Sequence, residues 1–308
     1  MTTVNDFSLC GWRIHSDWPL PELMPWSGDD RPADIVIHRG PVPKRLSGTV
    51  RETPLVQVND QNWLRFGVRN VADYLVRGGN EVIIDTPHAQ DTQDVGLFLL
   101  GSVLGFLCHQ RGLLPLHASC VSFQGAVIAF AGPSGTGKST MAALLLEQGA
   151  RLLSDDVAVI DVHADGGPVL LPTFPRQKLW RDTIDALGVT PGRYLRRTVE
   201  LEKFDRPVPG PFDGAPVRLD RIYQLLPRWR QDAPRMMPVS GLLAVRMLYE
   251  NVYRRTASGL LGLSDRIFGD CAALAAAGLD IQALALPDGV DILARSGAEL
   301  GPMLVAPR

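Results

Sequence analysis

Cysteine is scarce in this chain: four residues, Cys10, Cys108, Cys120 and Cys271, lie far apart in 308 positions. With no CxxC pair and no His/Cys cluster, a zinc ribbon or a disulfide framework is excluded, and buried free thiols are expected. Charge of one sign is equally scarce. Lys and Arg number 31 against 33 Asp and Glu, a formal net charge of −2, so no broad positive field is available to capture nucleic acid. The opening "MTTVNDFSLCGW" lacks a basic start and an apolar run, which predicts no signal peptide. The longest apolar stretch, "VGLFLLGSVLGFLCHQRG", is interrupted by glycines and Ser102 and turns polar at His109–Arg111. A buried core helix is expected there rather than a membrane span. These absences predict a soluble, cytoplasmic protein with no nucleic-acid or membrane partner.

What is present is enough apolar material for a large core: 45% of residues are hydrophobic and 21% charged. The length suits one sizeable domain or two modest ones. Up to residue 91 the pattern is β-rich: "ADIVIHRG", "PLVQVND", "NWLRFGV", "ADYLVRGG" and "NEVIIDTP" are short runs with β-branched or aromatic residues, bounded by Gly, Asn, Asp and Pro. "RGGNEVII" reads as a hairpin, and the segment holds no clustered acid, base or nucleophile, as a recognition or packing module would. From residue 92 to 308 the pattern becomes mixed α/β. A helix is expected over Asp94–Gln110, capped by Thr92 or Asp94. Strands follow in "PLHASCVSF" and "GAVIAFAG" around a turn at Gln124-Gly125, then a helix from Lys138 to about Gln148 stopped by Gly149. "RLLSDDVAVIDV" reads as one strand closing a hairpin with "VLLPTF", "RQKLWRDTIDALG" as an amphipathic helix, and "FDRPVPGPFDGAPV" as a loop. "VRLDRIYQLLP" and "QALALP" read as strands; "GLLAVRMLYENVYRRTA", "LSDRIFGDCAALAAAG" and "GVDILARSGAELGPML" read as helices.

The strongest signal is Gly132-Pro-Ser134-Gly135-Thr136-Gly137-Lys138-Ser139, a full G-x-x-x-x-G-K-[ST] run followed by Thr140. A polyphosphate needs several N–H donors aimed inward, and glycine lets backbone curl close without a Cβ in the way. The helix after the loop presents unpaired N–H groups and a positive end to the anion. Lys138 would reach the β- and γ-phosphates, and Ser139 would place its hydroxyl on Mg²⁺. An apolar strand before and a helix after are the context this loop requires, which weighs against a plain glycine turn. ATP with Mg²⁺ is therefore the expected ligand of Gly132 and Ser134 through Thr140.

One helix further on stand Asp155 and Asp156. Alternation along a strand would send the two carboxylates to different places. One could hold the metal while the other faces an incoming hydroxyl and takes its proton. Alone, such a pair more often caps a strand; beside a phosphate loop, the functional reading is favoured.

His117, "GPSGTGKST" and "EQGARLLSDD" together resemble the core of the HPr kinase/phosphorylase family. Those bacterial enzymes phosphorylate a serine on a small carrier protein. Their pattern is a histidine, then G-D-S-G-x-G-K-S, then R-G-H-R-L-V-A-D-D, at the same intervals. The resemblance covers about forty residues. It implies an α/β fold, a P-loop-containing HPr-kinase/PEP-carboxykinase-like core behind the β-rich amino-terminal module. It also implies catalytic roles for His117, Lys138 and Asp156, with Asp156 as base, and a metal held by Ser139 and Asp155. An imidazole at His117 could stabilise charge or tune Asp156; a lone histidine after a strand is more often simply packed. Where the family carries a metal-binding glutamate in E-I-R-G, this chain reads "LLPTFPRQKLW" and supplies no counterpart for that ligand or for the reverse reaction. Arg176 and Lys178 in that run could contact phosphate or substrate, or begin a solvated helix.

Softer motifs, "SDWPLPEL", "LGFLCHQRGLLPLHAS", "FPRQKLW" and "ENVYRR", resemble the HPr-kinase-related enzymes of lasso-peptide gene clusters. That resemblance implies phosphorylation of the C-terminal serine of a precursor peptide, so a peptide or small protein is the expected partner. The alternatives are a small-molecule hydroxyl kinase of the same fold and a nucleotide-binding regulator with weak ATPase activity. Arg246, Arg254 and Arg255, read on one helix with Tyr249 and Tyr253, could clamp a terminal carboxylate or form a solvated basic face. Carrier-protein kinases are hexamers, so the resemblance leaves room for a homo-oligomer.

Overall fold

The computed structural model describes residues 5–87, 92–197, 202–208, 210–227, 233–287 and 300–306. By their internal contacts these divide into two units, Met1–Pro115 with Val252–Gly269, and Leu116–Asn251 with Asp270–Arg308. The helical stretch from Thr92 to Gln110, grouped by its sequence pattern with the part after residue 91, belongs by contact to the first unit.

The first unit is built on a nine-stranded sheet. Its strands run in the spatial order Met24–Pro25, Asp6–Leu9, Trp12–Ser16, Ile35–Arg39, Glu81–Asp85, Ala72–Arg77, Leu64–Val68, Val56–Asn59, Thr49–Glu52. Period-two alternation sets the faces: Trp12, Ile14 and Ser16 turn inward while Arg13 and His15 turn out. The expected hairpin closes where Arg77 opposes Glu81, with Gly78 and Gly79 at φ 58° and 72° in the left-handed region that glycine enters freely. The apolar stretch forms helix over Thr92–Phe98, one wider π-turn over Leu99–Val103, and helix again over Leu104–Gln110. Its core-facing residues, Val95, Leu99, Val103 and Phe106 among them, are buried. Phe98 and Phe106 both meet the Phe66 ring, and Tyr74 donates its hydroxyl to Val95 O at 2.9 Å. His109 is fully buried, and that burial pulls its pKa down to about 4, so the neutral ring donates from Nε2 to Tyr253 O. Among the described residues no helix is long and apolar enough to cross a membrane.

The second unit carries a six-stranded mixed sheet in the order Arg151–Ser154, Ala118–Phe123, Ala126–Ala131, Arg221–Leu225, Asp280–Ala285, Arg235–Pro238. The turn between its second and third strands is the predicted Gln124-Gly125, both at positive φ (48° and 84°). Packed on the sheet is the helix Lys138–Leu146, whose Met141 and Leu145 are fully buried with Phe130, Tyr223 and Leu304. Burial of side chains that size contributes roughly 1.5–3 kcal/mol each, and their sum anchors the helix whose first residue is Lys138. A three-stranded sheet, Arg176–Trp180, Glu202–Pro207, Arg193–Arg197, lies in the same unit and contacts that helix through Leu179 and Phe204.

Several local expectations are corrected. "RLLSDDVAVIDV" is not one strand but two, Arg151–Ser154 and Ala158–Asp161, in different sheets; the chain turns at Asp156, whose φ is 75°. "RQKLW" is strand, and helix begins only at Arg181 and ends at Leu187. "FDRP" is also strand, pairing with Arg176–Trp180, so the loop begins only beyond Pro207. Ladder hydrogen bonds with a neighbouring strand overrode local helix spacing in one case and proline content in the other. The Ser240 helix stops at Glu250 because Asn251 Nδ2 donates to Met247 O at 2.7 Å, and Arg255 starts a separate helix after Arg254 at φ 54°. Arg246 and Arg254–Arg255 therefore do not share one helix; Arg246 is exposed and pairs with Glu250 at 2.9 Å. "LSDRIFGDCAALAAAG" gives the helix Ser264–Ala276, and most of "GVDILARSGAELGPML" lies outside the described residues.

Candidate active site

The glycine loop leaves the buried strand Ala126–Ala131 and enters the helix at Lys138. Gly132 sits at φ 147°, and a Cβ there would meet Leu225 O at 2.8 Å and Thr136 Oγ1 at 3.0 Å. Any side chain would push the loop off its sheet. Gly137, the residue before the helix, is left-handed at φ 101°. Ser134 and Gly135 are exposed at the tip, whereas Thr136 is buried and donates to Pro133 O at 2.9 Å. Thr140 points elsewhere: its hydroxyl is shared with Thr183 Oγ1 at 3.1 Å, so only its backbone belongs to the loop.

Lys138 is buried, and its ammonium donates to two carbonyls of its own loop, Gly132 O at 2.8 Å and Pro133 O at 3.0 Å. Burial pulls its pKa down to about 8, against the attraction of Asp156 and Asp155. The loop thus holds a cation at its centre at neutral pH.

Asp155 ties the loop to the sheet. Its Oδ1 accepts from Ser139 Oγ at 2.9 Å and from Ser119 Oγ at 2.5 Å, and its Oδ2 accepts from Lys178 N at 2.8 Å. Gln177 donates to Ser139 O at 3.0 Å, fixing the same turn from the other side. Hydroxyl and carboxylate oxygens are hard donors that suit Mg²⁺. A metal on Ser139 would have Asp155 behind the hydroxyl, orienting it, so the donor chemistry fits the ion.

Asp156 comes next but faces other partners. Lys178 Nζ donates to its Oδ2 at 2.8 Å, and His117 Nε2 lies 3.4 Å from its Oδ1. About a quarter of the Asp156 side chain is exposed (24%), so it is not sealed from solvent. Burial by itself would raise this carboxyl. The Lys178 charge and then His117 outweigh it and hold the group well below the usual carboxylate range, as an anion. The backbone of His117 donates to Asn251 O at 2.8 Å, fixing where the imidazole starts.

The structure therefore brings together Lys138, Ser139, Asp155, Asp156 and His117, with the tip residues Ser134 and Gly135 around the same loop. Arg176, considered for phosphate or substrate, is instead committed to Asp205 at 2.7 Å, a carboxylate that Arg193 also approaches at 3.7 Å. Lys178 is neither a solvated helix start nor an unattached cation; it is the partner of Asp156. Ser119 and Gln177 join the site without having been expected from the sequence. Ser119 had a signal, since it stands two residues beyond His117 and shares its face in extended chain. Gln177 had none.

No protein-family profile matches the chain, and no curated protein matches it in sequence. Among solved structures, the chain is similar to the "Structure of the Hpr(Ser) kinase/phosphatase from Coxiella burnetii", at 10% identity over 62% of this chain and 97% of that one, with a TM-score of 0.29. A superposition of that quality carries no weight for function, which rests on the geometry of this site.

Proposed function

We propose that the second unit is an ATP-dependent phosphotransferase that moves the γ-phosphoryl group to an alcohol, with the serine of a peptide as acceptor. The observation that carries this reading is the linkage at the strand break. Ser139 and Asp155 join the phosphate loop to the residue before Asp156, and Asp156 is an ionised, partly open carboxylate.

In this reading the backbone amides of Gly135–Ser139 and the Lys138 ammonium hold the phosphates. Lys138 exchanges its two loop carbonyls for phosphate oxygens, trading neutral acceptors for charged ones. Mg²⁺, when bound at Ser139, supplies neutralisation of phosphate charge. Asp156 orients the acceptor hydroxyl and takes its proton as the hydroxyl oxygen bonds the γ-phosphorus, while the bond from that phosphorus to the β–γ bridging oxygen breaks and ADP leaves. A carboxylate held so acidic is a weak base, which suits a loose phosphoryl transition state in which the proton leaves late. Lys178 and His117 keep it ionised and aimed.

The C-terminal serine of a lasso-type precursor is the acceptor we favour within that class, supported by the sequence resemblance. Incubation with labelled ATP, candidate serine peptides and small alcohols, read by phosphate mass shift, tests it. Phosphopeptide supports the reading. Phosphate on a metabolite alone would replace the acceptor class, and slow ATP loss with no phosphorylated acceptor would point to a nucleotide-driven regulator instead.

A further inference from the structure

Leu146 ends the nine-residue helix that begins at Lys138, about 12 Å of rise away, and at that far end the second unit has a separate open cavity of about 690 Å³. That volume lies within the range of about 300–1,000 Å³ typical of small-molecule sites. Leu146, Leu152, Val189, Pro191, Pro211 and Phe212 supply apolar wall. Among the described residues three charged side chains line it: Glu147, Arg151 and Arg206. Two cations against one anion leave one net positive charge.

Arg206 is the unusual member. It stands on the strand Glu202–Pro207 and is more than nine-tenths buried (7% exposed), yet its Nε has no hydrogen-bond partner among the described residues. Its neighbours on the same sheet show the ordinary arrangement: Asp205, one residue earlier, is gripped by Arg176, and Arg181 is paired with Glu202. Glu147, on the helix end, is exposed and acts on Arg206 only through its charge. A buried guanidinium that lines an open apolar cavity, with the carboxylate that acts on it, Glu147, exposed, is arranged to receive an acceptor from outside. The terminal carbonyls of the helix do not compete for it: Gln148 and Ala150 amides already satisfy Leu145 O, and Gly149 satisfies Leu146 O.

We propose that this cavity is a ligand site for an amphipathic monocarboxylate, with the carboxylate on Arg206 and an apolar body against the Val189–Pro191 and Pro211–Phe212 walls. One net positive charge matches a single carboxylate better than a phosphate dianion. The carboxylate could belong to a small free acid or to the carboxyl end of a peptide with apolar last residues; the site chemistry is the same. This assignment stands independently of the phosphotransfer reading, since no residue is shared with the phosphate loop.

Calorimetric titration of the full chain with hexanoate, hexanol and inorganic phosphate tests it. Hexanoate binds saturably, while hexanol and phosphate bind at least about tenfold more weakly. Two variants check the location. Arg206→Met removes the guanidinium and Val189→Trp fills the cavity while keeping it; each abolishes hexanoate binding, and the second decides the matter should the first fail to fold by circular dichroism. Acetyl-Leu-Phe with a free or an amidated end separates the sources: binding of the free acid only assigns a peptide terminus, and binding of hexanoate alone assigns a small acid. Equal binding of hexanol, preference for phosphate, no saturable hexanoate binding, or unchanged binding in Val189→Trp would each overturn the proposal.

Discussion

Each unit contains a carboxylate held by two basic side chains, and the two trios differ in the backbone that carries them. In the first unit Asp73 is gripped by Arg65 at 2.5 Å and Lys44 at 2.6 Å. Asp73 and Arg65 are both buried, and they stand on adjacent regular strands that pair Gly67 with Asp73. In the second unit Asp156 is held by Lys178 and His117, but at φ 75°, where one strand has ended and the next has not begun. Asp73 and Arg65 close upon each other within the sheet, while Lys44 reaches in from an exposed position. The Asp156 trio leaves its carboxylate side chain part-exposed and follows Asp155, which is hydrogen-bonded to the glycine loop at Ser139. Similar residue types thus sit within regular sheet in one place and at a part-exposed strand break in the other, and what separates them is continuity of strand and access, not composition.

Exchanging one atom in each trio probes that difference most directly. Asp156→Asn is expected to lower phosphoryl transfer by about 10²–10⁴-fold with ATP affinity nearly unchanged, measured by single-turnover assay and by calorimetry. Asp73→Asn should do the opposite, leaving the chemical step alone and costing about 3–5 kcal/mol of stability in urea titration, because Arg65 stays buried without its counter-charge. If both variants lost transfer equally while staying folded, the distinction between the trios would be wrong.

Lys138 extends the contrast to a lone buried cation. With its pKa pulled down to about 8, it costs stability while it is charged, below that pH; the cost is relieved as pH rises from 8 towards the unfolded value. Lys138→Met should therefore raise the melting temperature at pH 7, by an equivalent of at most about 3 kcal/mol, while abolishing turnover. The same titration governs ligand binding. Phosphate favours the charged amine, so ATP affinity should be flat below pH 8 and fall by up to about tenfold per pH unit above it. Lys138→Arg should flatten that dependence, as a calorimetric pH series would show.

Smaller effects are expected around Asp156. The Lys178 charge is the main influence lowering its pKa, so Lys178→Met should raise the acidic limb of the pH–rate profile and slow transfer more under mildly acidic than under mildly basic conditions. His117→Gln should shift the same limb in the same direction by less, with about a tenfold loss of rate. A profile unmoved by both would leave Asp156 without its assigned tuning.

The strand–glycine loop–helix unit was legible in the chain because its determinants are local and consecutive in sequence. The β-rich start and the hairpins at Gly78-Gly79 and Gln124-Gly125 were legible for the same reason. Lys178 as the partner of Asp156 was not, because the two lie 22 positions apart and strand Arg176–Trp180 has helix-like spacing until its partner Glu202–Pro207 is known. The strand break at Asp156 was hidden by the apolar residues on both sides, which continue the strand pattern through it. Arg206 was equally hidden, since an arginine amid prolines looks like surface until several segments close over it.

Each oxygen of Asp155 is already engaged, between them by two hydroxyls and a main-chain amide, and the residue itself is buried. Such a group cannot travel with an arriving guest without breaking three bonds at once. If the loop takes a ligand, the adjustment is expected of Lys138, which holds only neutral carbonyls, and of the part-exposed Asp156 side chain, while the anchor stays still.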